Sequence, residues 1–213
     1  MGHSTIWDII GSTFFAGIVF LLTFSLNSQE GEYRSAYNAN YLLQQNLTAL
    51  VVIMENDFKR VGYGNPLLIN ETTCIIKAFD TCFTFRGDID NNGMIDTVSY
   101  WVGNKGGPAA DYPTDPYYNP SIRYLYRTLN GVDQKLNLGV TDLRFRYYRN
   151  DAVANEAPLT QPVDPGVVGM MDLALQLQTP VRTKIVQEYM NDTSQYQIFW
   201  RQVRLTSKNL RYR

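Results

Sequence analysis

The chain predicts an α+β fold: a long N-terminal α-helix, apolar in its first half and amphipathic in its second, packed on a C-terminal antiparallel β-sheet domain. Three features carry this expectation. No proline occurs from Met1 to Asn65, so no position in that stretch lacks the backbone N–H that a helix interior needs. Apolar residues there first run continuously and then recur at helical spacing. Beyond Pro66 the pattern switches to strand-like alternation, interrupted by clusters of Gly, Pro, Asn and Asp.

From Ile9 to Leu26 roughly eighteen residues carry no charge, which reaches the lower limit for crossing a hydrocarbon layer as a helix. A secretory signal would begin with basic residues and end in a small-residue cleavage site. "MGHSTIWD" contains no Lys or Arg, so the segment is expected to be retained. In "YLLQQNLTALVVIMENDFKRVGYGN", Leu43, Leu47, Leu50, Val51, Met54, Phe58 and Val61 fall on one helical stripe. The simplest reading is one helix from about Ser4 to about Arg60, with Gly31 as the place for a bend or a melted turn. "GYGNP" supplies the stop. The second half of such a helix can be buried on its own domain. The first half, apolar all round, needs lipid or other copies of itself.

Residues 1–63 are therefore assigned to the helix and residues 64–213 to a β-rich head. In the head "CFTFRG", "DTVSYWVG", "IRYLYRTL", "VTDLRFRYYRN", "DLALQLQT" and "YQIFWRQVRLTS" read as strands, giving one antiparallel sheet of about four to six strands on the helix.

A net charge of -1 and a pI near 5.8 provide no basic field, so no nucleic acid is expected as a partner. His3, the only histidine, lies ahead of the apolar helix. No Ser-His-Asp or Cys-His arrangement can then be built in the head, and the chain is expected not to be an enzyme. Glu55 and Asp57 read as solvated helix charges. Cys74 and Cys82 are too few for a zinc site. In a strand-turn-strand setting they could face one another as a disulfide, which would imply an oxidising compartment, and two buried thiols are the alternative.

"DIDNNGMID" is the one chemically pointed motif. Asp88, Asp90 and Asn92 occupy positions one, three and five of an EF-hand-like loop, with Gly93 at six, the Met94 carbonyl at seven and Asp96 at nine. Oxygens at that spacing can wrap calcium. Position twelve is Ser99 where a bidentate glutamate would stand, and the same residues also suit a hairpin turn with left-handed backbone.

In this order the pieces resemble the type IV pilin-like proteins, most closely the minor pilins and minor pseudopilins of type IV pili and type II secretion systems. The likeness is carried by "LTALVVIMENDFKRVGYGN", by "FRGDIDNNGMIDTVSYWVG" with "RYLYRTLNGVDQKLNLGVTDLRFRYYRND", and by "FWRQVRLTSKNLR", each following the N-terminal helix. The resemblance implies a structural subunit extracted from the bacterial inner membrane and stacked, apolar helices inward, into an extracellular or periplasmic filament on the cell surface. The implied partners are further copies or other pilin-like subunits, an assembly ATPase and an inner-membrane platform protein. The chain departs from the family in two places: it lacks the basic leader, and Thr5 stands where a mature pilin carries glutamate at the fifth position. If Met1 is the mature start, Asp8 lies one turn beyond Thr5 and can take the glutamate's role of pairing with a neighbour's terminal amine, with His3 as another partner. Asp8 can also simply cap the helix or mark the headgroup boundary. The competing reading is a single-pass membrane-anchored protein whose extracytoplasmic β-domain binds a ligand.

Overall fold

The computed structural model describes residues 2–65, 74–111, 118–149, 157–180 and 196–210. Helix α1 runs without interruption over Gly2–Lys59, 58 residues or about 87 Å at 1.5 Å per residue. The melted turn expected at Gly31 does not occur. Nothing lies within 4 Å of the position a Cβ would take there, and the Arg34–Glu30 pair spans the polar joint with 2.5 Å between Nη2 and Oε1. The helix ends by tightening: the N–H groups of Arg60 and Val61 donate to the carbonyls of Asp57 and Phe58, each at 3.0 Å, which satisfies carbonyls that a plain terminus would orphan. Gly62, at φ 70°, turns the chain so that its N–H reaches the Arg86 carbonyl at 2.9 Å. Gly87 meets the same corner from the other side. A Cβ there would stand 2.1 Å from the Arg60 carbonyl oxygen, so only glycine lets this strand close on the helix end.

The head holds eight described strands in two antiparallel sheets where one was expected. The first is a meander of β1 (Ile75–Ala78), β2 (Cys82–Gly87), β3 (Asp96–Val102), β4 (Leu125–Leu129) and β5 (Val132–Leu136), with a short helix α2 (Gly107–Asp111) after β3. The second pairs β6 (Val140–Arg149), β7 (Val168–Gln178) and β8 (Ile198–Thr206) in that order. Two turns account for the difference. Asn130 and Gly131, with φ of 50° and 83°, make a two-residue hairpin between Leu129 and Val132, the geometry that matches strand twist. Gly139, with φ of 80°, then redirects the chain from β5 to β6, its Cα so near Gln178 that a Cβ would lie 2.7 Å from that carbonyl oxygen.

The core joins all three layers. Leu43, Leu47, Leu50, Val51, Met54, Phe58 and Val61 of the helix stripe and its end are buried, as their spacing predicts. Phe83 on β2 is the hub: its ring centroid lies 5.7 Å from Phe58, 5.3 Å from Phe85, 5.8 Å from Phe145 and 6.0 Å from Tyr147. Helix, first sheet and second sheet are thus fastened at one aromatic cluster.

The disulfide expected between Cys74 and Cys82 is absent, and both residues are thiols. The hairpin register explains this. The Arg86 N–H donates to the Cys74 carbonyl at 2.6 Å and the Phe79 N–H to the Cys82 carbonyl at 2.9 Å, so the cysteines sit at opposite ends of the β1–β2 pair. Four residues of strand separate them, roughly 13 Å, against the roughly 7 Å limit for bridging two Cα atoms. Denaturation without reductant should therefore release two alkylatable thiols per chain, and a product that resists alkylation until reduced would contradict this register.

Candidate assembly segment and acidic loop

Every described side chain from Thr5 to Ser35 is exposed, and Ala36 is the first buried residue among the described side chains of the helix. The exposed set includes Ile6, Trp7, Phe14, Phe15, Phe20, Leu21 and Phe24. The stretch is long and apolar enough to cross a membrane, and none of its most apolar window is buried within the chain. Three of its hydroxyls, all within the uncharged run, are satisfied internally. Ser12 and Thr13 donate to the Ile9 carbonyl at 3.0 and 2.8 Å, and Thr23 to the Val19 carbonyl at 2.8 Å. Those donors therefore need no water, which makes the surface compatible with lipid or a dry protein interface. Asp8 is exposed on this surface, one turn from Thr5. The side chain of His3 lies outside the described residues.

The opposite end of the helix is locked to the head by a buried charge that sequence reading placed in solvent. Asp57 is only 6% exposed. Its Oδ2 accepts from Tyr100 Oη at 2.5 Å and from Arg127 Nε at 2.7 Å, and Arg127 Nε also donates to Tyr100 Oη at 3.2 Å. Burial, then the Asp57 carboxylate, pushes the Tyr100 hydroxyl well above the ordinary phenol range. Burial opposes the Arg127 charge, yet its bonds to Asp57 and Tyr100 hold the guanidinium above its ordinary value. Glu55 does behave as a solvated helix charge and pairs with Lys59 at 2.9 Å. A second pin closes the β6–β8 sheet: Asp172 accepts from Arg204 Nε at 2.8 Å and Nη2 at 3.1 Å, and from Tyr148 Oη at 2.9 Å. Burial alone would raise its pKa, but these donors hold the carboxyl below its usual value.

The acidic loop between β2 and β3 brings carboxylate oxygens of Asp88, Asp90 and Asp96 within 4.8 Å of one another. Much of it is held by its own bonds. Asp88 accepts the N–H groups of Asn92 at 3.1 Å and Gly93 at 3.0 Å, and Asn92 Oδ1 accepts the Met94 N–H at 2.7 Å. Left-handed backbone at Asn91 and Gly93, with φ of 61° and 84°, makes the turn. Asp96 ties it to the β4–β5 hairpin, accepting from the Ile89 N–H at 3.0 Å and from Asn130 Nδ2 at 2.7 Å. Arg60 braces it from the helix end through the carbonyls of Asp88, at 3.3 Å, and Ile89.

The fit to calcium is partial. Three carboxylates and the Asn92 side-chain oxygen retain lone pairs for a hard cation. Ser99 cannot complete the loop, because its hydroxyl bonds to Thr84 at 2.8 Å within the sheet. A cation held by this incomplete set belongs in the weak, roughly millimolar class, and at ten times its Kd adds about 1.4 kcal/mol to stability. Calcium at about 10 mM should then raise Tm by a few degrees, and Asp90→Asn should abolish the rise. Identical melting with and without calcium would make the loop a turn alone.

Sequence reasoning brought together the loop residues but missed Arg60 and Asn130, which act on the loop from distant parts of the chain. It also missed the Asp57–Tyr100–Arg127 clamp. No protein family, curated protein or solved structure matches this chain.

Proposed function

We propose that the protein is a pilin-like structural subunit: α1 is held in a membrane by its apolar half before assembly, and the same half is buried against other copies in an extracellular filament afterwards. One observation carries the proposal. The protein folds a continuous 58-residue helix, uses only the part from Ala36 onward in its own core, and leaves the large side chains from Ile6 to Leu26 exposed. Each such side chain gains about 1.5–3 kcal/mol when withdrawn from water, so the segment needs cover that the head does not supply. A membrane anchor alone explains the apolar run. It leaves unexplained why the helix continues rigidly for over thirty further residues into the head core. The resemblance in sequence order supports the filament reading over the anchored ligand-binding one, with self or other pilin-like subunits, an assembly ATPase and a platform protein as partners.

Asp8 has a defined part in this proposal. Once copies stack, its exposed carboxylate enters a dry interior, where a charge must be paired. If Met1 is the mature start, a neighbour's terminal amine can supply the counter-charge. Asp8→Asn is expected to lower filament yield by roughly tenfold or more at unchanged cellular level, with Asp8→Glu retaining most of it. Equal yield for Asp8→Asn would reduce Asp8 to a mark of the headgroup boundary.

A further inference from the structure

The aromatic residues of α1 sort by type along the helix. Trp7 and Tyr33 bracket a stretch in which every aromatic side chain is a phenylalanine, Phe14, Phe15, Phe20 and Phe24. The charges bracket the same stretch, since no charged residue occurs between Asp8 and Glu30. Trp7 is 71% exposed and Tyr33 48%, so both rings are open to a surrounding phase. We infer that α1 sits at one fixed depth in a phospholipid bilayer, with Trp7 in one headgroup layer and Tyr33 in the other, and that these two rings are its lipid-contact anchors. The inference rests on the membrane-held stage of the proposed function and deepens it by naming the residues that meet the headgroups.

Lengths along the helix fix the register. The uncharged stretch 9–29 holds 21 residues, about 31 Å of helix, against a hydrocarbon layer of about 30 Å. Sliding the helix by one turn in either direction carries Asp8 or Glu30 into hydrocarbon, where a charge is costly. From Trp7 to Tyr33 there are 26 residue steps, about 39 Å, close to the roughly 40–45 Å of a bilayer with its headgroup layers. Trp7 then lies about 3 Å and Tyr33 about 6 Å outside the hydrocarbon, within headgroup layers about 5–7 Å deep. There an indole N–H or a phenol O–H finds polar partners while the ring still meets apolar surface. Phenylalanine has no polar atom to satisfy and suits the hydrocarbon between them. Ala36, the first buried residue among the described side chains of the helix, lies about 10 Å beyond residue 29, so the head begins just outside the headgroups. The unbroken helix holds it at that height.

The test is depth profiling by electron paramagnetic resonance on the full-length chain in nanodiscs of dioleoylphosphatidylcholine. A nitroxide is carried on p-acetylphenylalanine placed singly at Phe14, Val19, Phe24, Gln29 and Tyr37, a chemistry that spares the thiols of Cys74 and Cys82. Oxygen enters hydrocarbon and a nickel chelate stays in water, so the ratio of their collision rates reads depth. The expected result is a maximum at Val19, midway between Asp8 and Glu30, with Gln29 at the boundary and Tyr37 open to nickel. A maximum displaced by about four residues or more, one helical turn, would overturn the register and leave the membrane-held stage in place. Nickel access along the whole segment would overturn both. The anchors have a separate reading. Trp7→Ala combined with Tyr33→Ala removes no buried side chain and is expected to lower the contrast between Val19 and Gln29 by about twofold or more, as the helix samples more depths. An unchanged profile would leave the depth to Asp8 and Glu30 alone and overturn the anchor assignment.

Discussion

Replacing Asp57 with alanine is expected to destabilise the head by about 3–5 kcal/mol, the largest effect of any single polar substitution in the helix. The side chain is 6% exposed and receives two donors, Tyr100 Oη and Arg127 Nε, on one oxygen. Removing it strands the Arg127 guanidinium, whose side chain is 13% exposed, in a place it tolerates only because a carboxylate is there. A cost of this kind comes from the charge left behind more than from the bonds lost. Tyr100→Phe removes one neutral donor and should cost only about 1–2 kcal/mol. The double variant of Asp57→Ala with Arg127→Met should recover much of the loss, because no buried charge then lacks its partner. Denaturant titration of the full chain in detergent measures all three. A loss below about 1 kcal/mol for Asp57→Ala would mean that water reaches the site and that the clamp does not hold helix to head.

Deleting residues 1–28 should have the largest effect on behaviour and almost none on the head. No described residue before Ala36 is buried, so the deletion removes no core contact, and the Tm of the truncated head should match that of the full chain within a few degrees. Its location and solubility should change completely. The full chain is expected in membranes or polymer, and the truncated chain in the aqueous fraction as a monomer without detergent, because the apolar surface that calls for cover is gone. Sedimentation after cell fractionation, together with thermal melting, reads both halves of this prediction. A truncated head that still pellets, or that melts far below the full chain, would show that the segment serves the head's own fold.

How much of this was legible in the sequence depended on how local the cause was. The helix was, because its two burial regimes write two patterns within one proline-free run and because Leu43 to Val61 keep the stripe without a slip. Strand β5 was not. Its sequence, Val-Asp-Gln-Lys-Leu, lies at the exposed edge of a meander with four of five side chains in solvent, so alternation had nothing to record. The Asn130-Gly131 hairpin signal stood directly before it and would have found it. The division into two sheets rests on Gly139 meeting Gln178, a contact across 39 residues that no local pattern encodes. Asp57 could have been suspected, since it falls three residues after Met54 and four before Val61 on the edge of the buried stripe. Its partners, on β3 and β4, could not be foreseen. The acidic loop was the most legible site because its spacing is its geometry, whereas the cysteine pair misled because closeness in sequence says nothing of hairpin register.

The most direct measurement is electron microscopy of filaments sheared from the native cells, with mass spectrometry of the purified polymer. The account predicts filaments in which this chain is a component and in which peptides covering Ile6 to Leu26 are present, carried into the fibre with the head. Absence of the chain from every polymer, with all of it in the inner-membrane fraction, would contradict the account and leave a membrane-anchored β-domain in its place.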